Sequence, residues 1–240
     1  MNMSGAVPAK TIALIDTGVN AEGLVGEVSV LGGSASDDNG HGSKMFNAIK
    51  EEYPDAKVLS IKAMDANGSG QASDIYAAIM YAIEKKVDLI NLSLTANSSE
   101  TNSVVVRAIE EAISKGITVV GAAGNNASDA KYFIPGCVKD AYIIGAADQK
   151  GDRLNDSNYG ANVDYEVISN STSEAAARFS ALYMRGKAEG KEITEYTNVM
   201  INYDRTDLTE DDYLSLRRSR VRRSWQERMK HGRTIQPMQL

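Results

Sequence analysis

VLSIKAMDANGSGQASDIYAAIMYAIEKKVDLINLSL, residues 58–94, holds three structural elements in one line. Its ends lie within AKVLSIKAM (56–64) and VDLINLSL (87–94), short apolar runs that read as strands. Between them SDIYAAIMYAIEKK (73–86) reads as a helix, with Ser73 as its N-cap. A strand, a helix and a second strand form the repeating unit of a parallel sheet, because parallel neighbours need a crossover long enough to hold a helix.

The same alternation extends in both directions. TIALID (11–16) is a buried strand ending at Asp-Thr-Gly, and SKMFNAIKEEY (43–53) spaces Met45, Phe46, Ile49 and Tyr53 as one helical face. Residues 98–116 form a helix closed by Gly116, followed by strands at ITVVGAAG (117–124) and AYIIGAA (141–147). EAAARFSALYMRG (174–186) is a further helix with glycine at its end. Nearly continuous apolar strands alternating with helices predict an α/β fold, with a mainly parallel central sheet covered by helices on both faces. Ligands of such sheets bind beyond the carboxyl ends of the strands. Asp16, the 92–95 segment and Asn125 all fall at those ends.

The 240 residues are 42% hydrophobic and 24% charged, the composition of a globular domain with an appendage. The net charge of −6 argues against a nucleic-acid-binding protein overall. Its distribution is uneven, with 11 Lys/Arg and 9 Asp/Glu in 186–240. Residues 1–186 are expected to form one catalytic domain. Residues 187–240 are expected to form a polar linker and then an amphipathic basic helix, TEDDYLSLRRSRVRRSWQERMKHG (209–232). Leu214, Val221, Trp225 and Met229 form one stripe of that helix, suited to packing on its own domain, a second copy or a protein partner. The lone Cys137 excludes an intramolecular disulfide and is expected to be a small buried packing residue. MNMSGAVPAK lacks a basic stretch followed by an apolar one, so no signal peptide and a cytoplasmic location are expected. No apolar run reaches the roughly 18 residues of a membrane span.

Four segments carry chemistry: TIALIDTG (11–18), NGHGS (39–43), VVGAAGNN (119–126) and NSTSEAAA (170–177). They supply an acid, Asp16, a base, His41, an amide donor, Asn125, and a hydroxyl, Ser173. Those are the parts of acyl transfer through an activated serine, and the order Asp, His, Ser is one solution to its geometry. Each residue also has a plainer reading. Asp16 could cap its turn, His41 could be a turn histidine, Asn125 could belong to an Asn-Asn turn, and Ser173 could be a helix N-cap. Ser171 and Thr172 are competing hydroxyls.

The four segments, together with 58–94, resemble those of the subtilisin-like serine proteases, the subtilases, over roughly residues 10–185. The resemblance implies a three-layer subtilisin-like fold and a serine endopeptidase. Ser173 would be the nucleophile, His41 the proton shuttle, Asp16 the residue that orients it, and Asn125 an oxyanion donor. Segment 92–95, with Ser93, Leu94 and Thr95, would pair with an extended peptide substrate. Ala122, Ala123 and Gly124 would line the opposite wall of the pocket for the residue before the cut. No cofactor or metal is implied, since the insertion that often builds a calcium site in secreted members is absent.

The chain departs from the family pattern in three places. Ser171-Thr172-Ser173 stands for Gly-Thr-Ser, Ala177 for the usual proline, and Arg178 puts a charge on a helix expected to be buried. Only Ile-Ser-Asn separates Val167 from Ser171, where the family has a long loop and hairpin. Thr95 stands where a glycine is usual and is expected to narrow the cleft. These departures favour a restricted substrate, and keep open a binding module with this fold and no turnover.

Overall fold

The computed structural model describes residues 10–97 and 104–202. The chain runs β1 (Thr11–Asp16), β2 (Gly26–Ser29), α1 (His41–Glu52), β3 (Lys57–Lys62), α2 (Ala72–Glu84), β4 (Leu89–Leu92) and β5 (Ala96–Asn97). It continues α3 (Val104–Ser114), β6 (Thr118–Ala122), β7 (Phe133–Ile134), β8 (Tyr142–Ala147), β9 (Tyr165–Ile168), α4 (Thr172–Glu189) and β10 (Val199–Ile201). Eight strands form one sheet in the order β10-β9-β8-β6-β4-β1-β3-β2. Every pairing in it is parallel except β9 with β10. β5 and β7 make a separate two-stranded antiparallel piece.

The sheet is buried on both faces, as its uninterrupted apolar strands require. Alternate residues point to opposite sides. Ala13, Ile15, Leu59, Ile61 and Ile90 meet Ile75, Ile79, Val105 and Ile109 of α2 and α3 in one cluster. Ile12, Leu14, Val58, Val120 and Ile144 meet Met45, Phe46 and Ile49 of α1 and the alanines of α4 in the other. The result is the three-layer α/β arrangement expected from the sequence.

Strand order decides where a ligand can sit. β1 lies between β3 and β4, so successive connections leave it in opposite directions. A crevice opens at such a reversal, at the carboxyl ends of the strands. Asp16 ends β1, and residues 93–95 follow the end of β4.

Several local expectations are corrected. The N-cap of α2 is Gln71, not Ser73, because Gln71 and Asp74 form a reciprocal capping box. Helix α4 does not stop at Gly186. It continues to Glu189 and is capped by Gly190 with φ 71°, the left-handed conformation that glycine adopts freely. Residues 187–202 are not a polar linker. They finish α4 and add β10 to the edge of the sheet, pairing Val199 with Val167. Cys137 is half-buried and packs against the core cluster of α2 and α3. The 209–232 helix lies outside the described residues.

Phe179 anchors the α4 face of the core. It is 0% exposed, and its ring lies 5.1 Å from Tyr165 and 5.6 Å from Tyr142 between centroids. Phe179→Ala is expected to cost about 3–5 kcal/mol in chemical unfolding, from lost transfer energy and the remaining cavity. A loss below about 1 kcal/mol would mean that this core collapses around the gap.

Candidate active site

The site starts from the turn after β1. Asp16 is 0% exposed, and its Oδ1 accepts hydrogen bonds from the Thr17 N–H (2.7 Å) and from His41 Nδ1 (2.7 Å). A carboxylate only accepts, so Nδ1 carries the proton, and in the neutral imidazole Nε2 holds the lone pair. His41 lines an open cavity of about 730 Å³, so its unprotonated face meets solvent or substrate there. The hydrogen bond to Asp16 holds the His41 pKa above its usual value, against the opposing effect of burial.

The two glycines of Asn39-Gly-His-Gly-Ser43 explain how His41 reaches Asp16. Gly40 is the N-cap of α1 at φ 98°. A Cβ on Gly42 would lie 2.0 Å from the Gly18 carbonyl oxygen, so only glycine lets the start of α1 lie against the turn that follows Asp16.

Sequence reading missed the residue that fastens these parts. SDDNG (36–40) reads as a polar turn, yet Asp37 is only 6% exposed. It accepts from Thr17 Oγ1 (2.8 Å), the Asn39 and Gly40 N–H groups (3.1 and 2.8 Å), and the Ser43 N–H and Oγ (2.8 and 2.6 Å). Thr17 follows the acid, and Gly40 precedes the base. Asp37 therefore ties the end of β1 to the start of α1. Burial pushes its carboxyl up, but the bonds from Ser43, Gly40 and Thr17 outweigh that and bring its pKa down to about 2. Its contribution to stability is thus present above the ordinary value of 3.8 and is lost as pH falls through about 2. Asp37→Asn is expected to lower Tm at neutral pH and to flatten the fall of Tm between about pH 4 and pH 2. Identical slopes in the two proteins would show that Asp37 adds nothing to acid stability.

The three hydroxyls before and in α4 divide their work. Ser171 is the N-cap, accepting from the Glu174 N–H at 3.3 Å. Thr172 is 0% exposed, and its Oγ1 accepts from the Gly124 N–H at 3.1 Å. Ser173 lies in the first turn, not at the N-cap, and of the three it alone lines the cavity. Its Oγ donates to the Ser93 carbonyl at 3.1 Å, and Ser93 Oγ lies 2.9 Å from the Ser173 carbonyl.

Asn125 follows β6 and is exposed. Its Oδ1 accepts from the Thr172 N–H (3.0 Å) and lies 3.0 Å from Thr172 Oγ1. A backbone N–H can only donate, so the oxygen must face Thr172 and the Nδ2 amide must face away from it.

The cavity brings His41, Ser173, Ser93, Leu94 and Thr95 together. Gly68, Ser69 and Gly70 line it too, and Met64, Ile75, Val105 and Ile134 give it an apolar lining. Asn125, Ala123 and Gly124 are not part of that lining. Residues 93–95 link β4 to β5 and are not themselves in a strand.

The charge at Arg178 is neutralised where the sequence suggested a conflict. Its guanidinium donates to Glu174 (3.0 Å) and Glu52 (2.7 Å), and to Glu51 (2.7 Å). The short 169–171 connection is held by the Ser169 N–H on the Ala147 carbonyl at 3.0 Å, so β9 passes almost directly into α4. Among the described residues no group of three or more His, Cys, Asp or Glu could hold a metal ion, and no helix is long and apolar enough to cross a membrane.

The sequence profile of the Subtilase family matches residues 9–199. The chain belongs to the subtilase family. This subtilase is 34% identical over 179 residues to "Subtilisin-like protease 3" of Pseudogymnoascus destructans, covering 67% of this chain and 44% of that protein. It is 33% identical over 196 residues to the "Thermophilic serine proteinase" of Bacillus sp. strain AK1, covering 72% and 48%. The chain thus spans less than half the length of these two relatives. A solved structure of a cold-adapted subtilisin-like serine proteinase superposes with a TM-score of 0.71, at 21% identity, over 82% of this chain and 84% of that one. The subtilisin-like fold expected from the sequence is the fold observed.

Proposed function

We propose that this subtilase hydrolyses peptide bonds through Ser173. Ser173 Oγ attacks the scissile carbonyl carbon while its proton passes to His41 Nε2. The C–N bond then breaks, and His41 gives that proton to the leaving amine. Water, with His41 again as base, attacks the acyl-enzyme and releases a carboxylate. Asp16 keeps the proton on Nδ1 and stabilises the imidazolium. The Asn125 Nδ2 amide and the Ser173 N–H, in the first turn of α4, are the donors for the tetrahedral oxyanion.

The observation that carries this reading is the 2.7 Å bond between buried Asp16 and His41, with the other face of His41 on the cavity shared with Ser173. Ser173 Oγ rests on the Ser93 carbonyl, an arrangement compatible with a serine that turns to its base once substrate is present, since such bonds often tighten only in the bound complex. A substrate main chain laid along 93–95 would compete for that carbonyl and release the hydroxyl.

The deciding experiment is labelling with a fluorophosphonate, followed by peptide mapping. Modification of Ser173, abolished by His41→Ala, is the expected result. A protein that stays unlabelled while folded would instead be a binding module with this fold. The short 169–171 connection and the Thr95 side chain support a restricted range of substrates. Turnover of unfolded casein at the rate of a degradative protease would contradict that restriction.

A further inference from the structure

The hydrolytic reading leaves open which residue precedes the cut, and the space available for it is defined by two segments. One is 93–95, whose Ser93 carbonyl touches the Ser173 hydroxyl. The other is 123–125, which leads to the Asn125 amide. A substrate whose scissile carbonyl lies between Ser173 Oγ and that amide has its preceding side chain directed between these segments.

That gap is closed. The Thr95 Cγ2 methyl lies 3.4 Å from the position a Cβ on Gly124 would occupy, ordinary contact distance for two carbon atoms. Asn158 also stands against Gly124, with its Nδ2 2.4 Å from the same position. Asn158 cannot readily withdraw. It is 0% exposed, its Nδ2 donates to the Ala123 carbonyl at 2.8 Å, and its Oδ1 accepts from the Asn126 and Ser128 N–H groups at 3.0 Å each. The cavity that holds Ser173 and His41 is lined by Thr95 and by neither Ala123 nor Gly124.

We propose that Thr95 is a specificity-determining residue that restricts the residue before the cut to glycine or alanine. A β-branched side chain is stiff about χ1, so the methyl resists swinging aside. A larger side chain would have to displace either this methyl or the buried, hydrogen-bonded Asn158.

This inference rests on the hydrolytic reading, and the experiment separates the two. One sample of wild-type protein is exposed to a fluorophosphonate, and a separate, untreated sample is assayed on N-acylated tetrapeptide anilides that differ only in the last residue: glycine, alanine, leucine or phenylalanine. The alanine and glycine substrates are expected to exceed phenylalanine by at least about tenfold in kcat/KM, within the range that pocket size alone can supply. Thr95→Gly is expected to raise the phenylalanine-to-alanine ratio by about tenfold or more. Thr95→Ala, which keeps a side chain should glycine loosen the segment, is expected to move the ratio in the same direction. A ratio near one in the wild type, or one unchanged in a folded Thr95 variant, overturns the proposal. Binding supplies the arm that needs no turnover. Ser173→Ala is titrated with fluorescent peptides ending in glycine, alanine or phenylalanine carboxylates. Tighter binding of the small-ended peptides supports the role of Thr95 even if the fluorophosphonate leaves Ser173 unmodified, a result that would overturn hydrolysis alone. Equal affinities overturn the proposal.

Discussion

Ser173→Ala is expected to lower kcat on a cleavable peptide by on the order of 10⁶-fold, His41→Ala by about as much, and the double variant no further. The non-addition follows from what each residue does. A base without a nucleophile has no hydroxyl to activate, and a hydroxyl without a base must attack at its ordinary, very weak nucleophilicity. Residual turnover above water would come from the proposed oxyanion donors and from substrate binding. Neither variant should unfold the protein. Ser173 loses one hydrogen bond to the Ser93 carbonyl, on the order of 1 kcal/mol, and the His41 side chain is already 32% exposed. Steady-state kinetics beside a thermal melt checks both halves of the expectation. Activity within tenfold of wild type in Ser173→Ala would place the nucleophile elsewhere. Two large losses that multiply in the double variant would mean the pair does not act as a unit.

Asp16→Asn is expected to lower kcat by about 10⁴-fold while leaving KM within a few-fold. The Thr17 N–H points at Oδ1, so an asparagine there keeps its oxygen toward Thr17 and His41. The new amide then takes the place of Oδ2, which is buried without a hydrogen-bond partner. The imidazolium loses its charged partner, and the core gains two unpaired N–H donors. The pH profile moves in a defined direction. The bond to Asp16 is the largest cause of the raised His41 pKa, so its removal lowers that pKa, and the acid limb of kcat/KM shifts to lower pH. The stability effect follows the same linkage. A raised histidine pKa stabilises the fold below the unfolded value near 6.5, and that contribution disappears as pH rises through the folded value. The stability gap between wild type and variant should therefore narrow as the solution becomes more alkaline. An unchanged acid limb would show that another group governs it.

What could be read in the sequence was whatever depends on runs of neighbouring residues. TIALID is both an apolar run and the strand Thr11–Asp16 to the residue. The alternation of strands and helices predicts the two buried faces because each element carries its own pattern. Long-range partners left weaker traces. Val199–Ile201 is too short to announce a strand, and it becomes one only because β9 offers it an open edge. Asp37 lies in a polar turn whose composition is that of any solvent-facing loop. Its role appears only when Thr17 and Ser43, distant in sequence, converge on one carboxylate. Thr172 is similar, since its contact with Asn125 joins positions 47 residues apart. Gly42 was visible beside His41, although the carbonyl that forbids a larger residue belongs to another element. Arg178 looked like a defect because its acidic partners on α1 are more than a hundred residues away.

Those partners have a thermal consequence. α1 carries His41, the proposed base, and α4 carries Ser173, the proposed nucleophile, and one guanidinium joins Glu51 and Glu52 of the first to Glu174 of the second. Apolar contacts between helices weaken on cooling and gain little on heating. The desolvation penalty of an ion-pair network falls as temperature rises. Heating therefore strengthens this clamp relative to the rest of the helix interface, and the relative placement of His41 and Ser173 is expected to be preserved longest at the temperatures where the surrounding core begins to loosen.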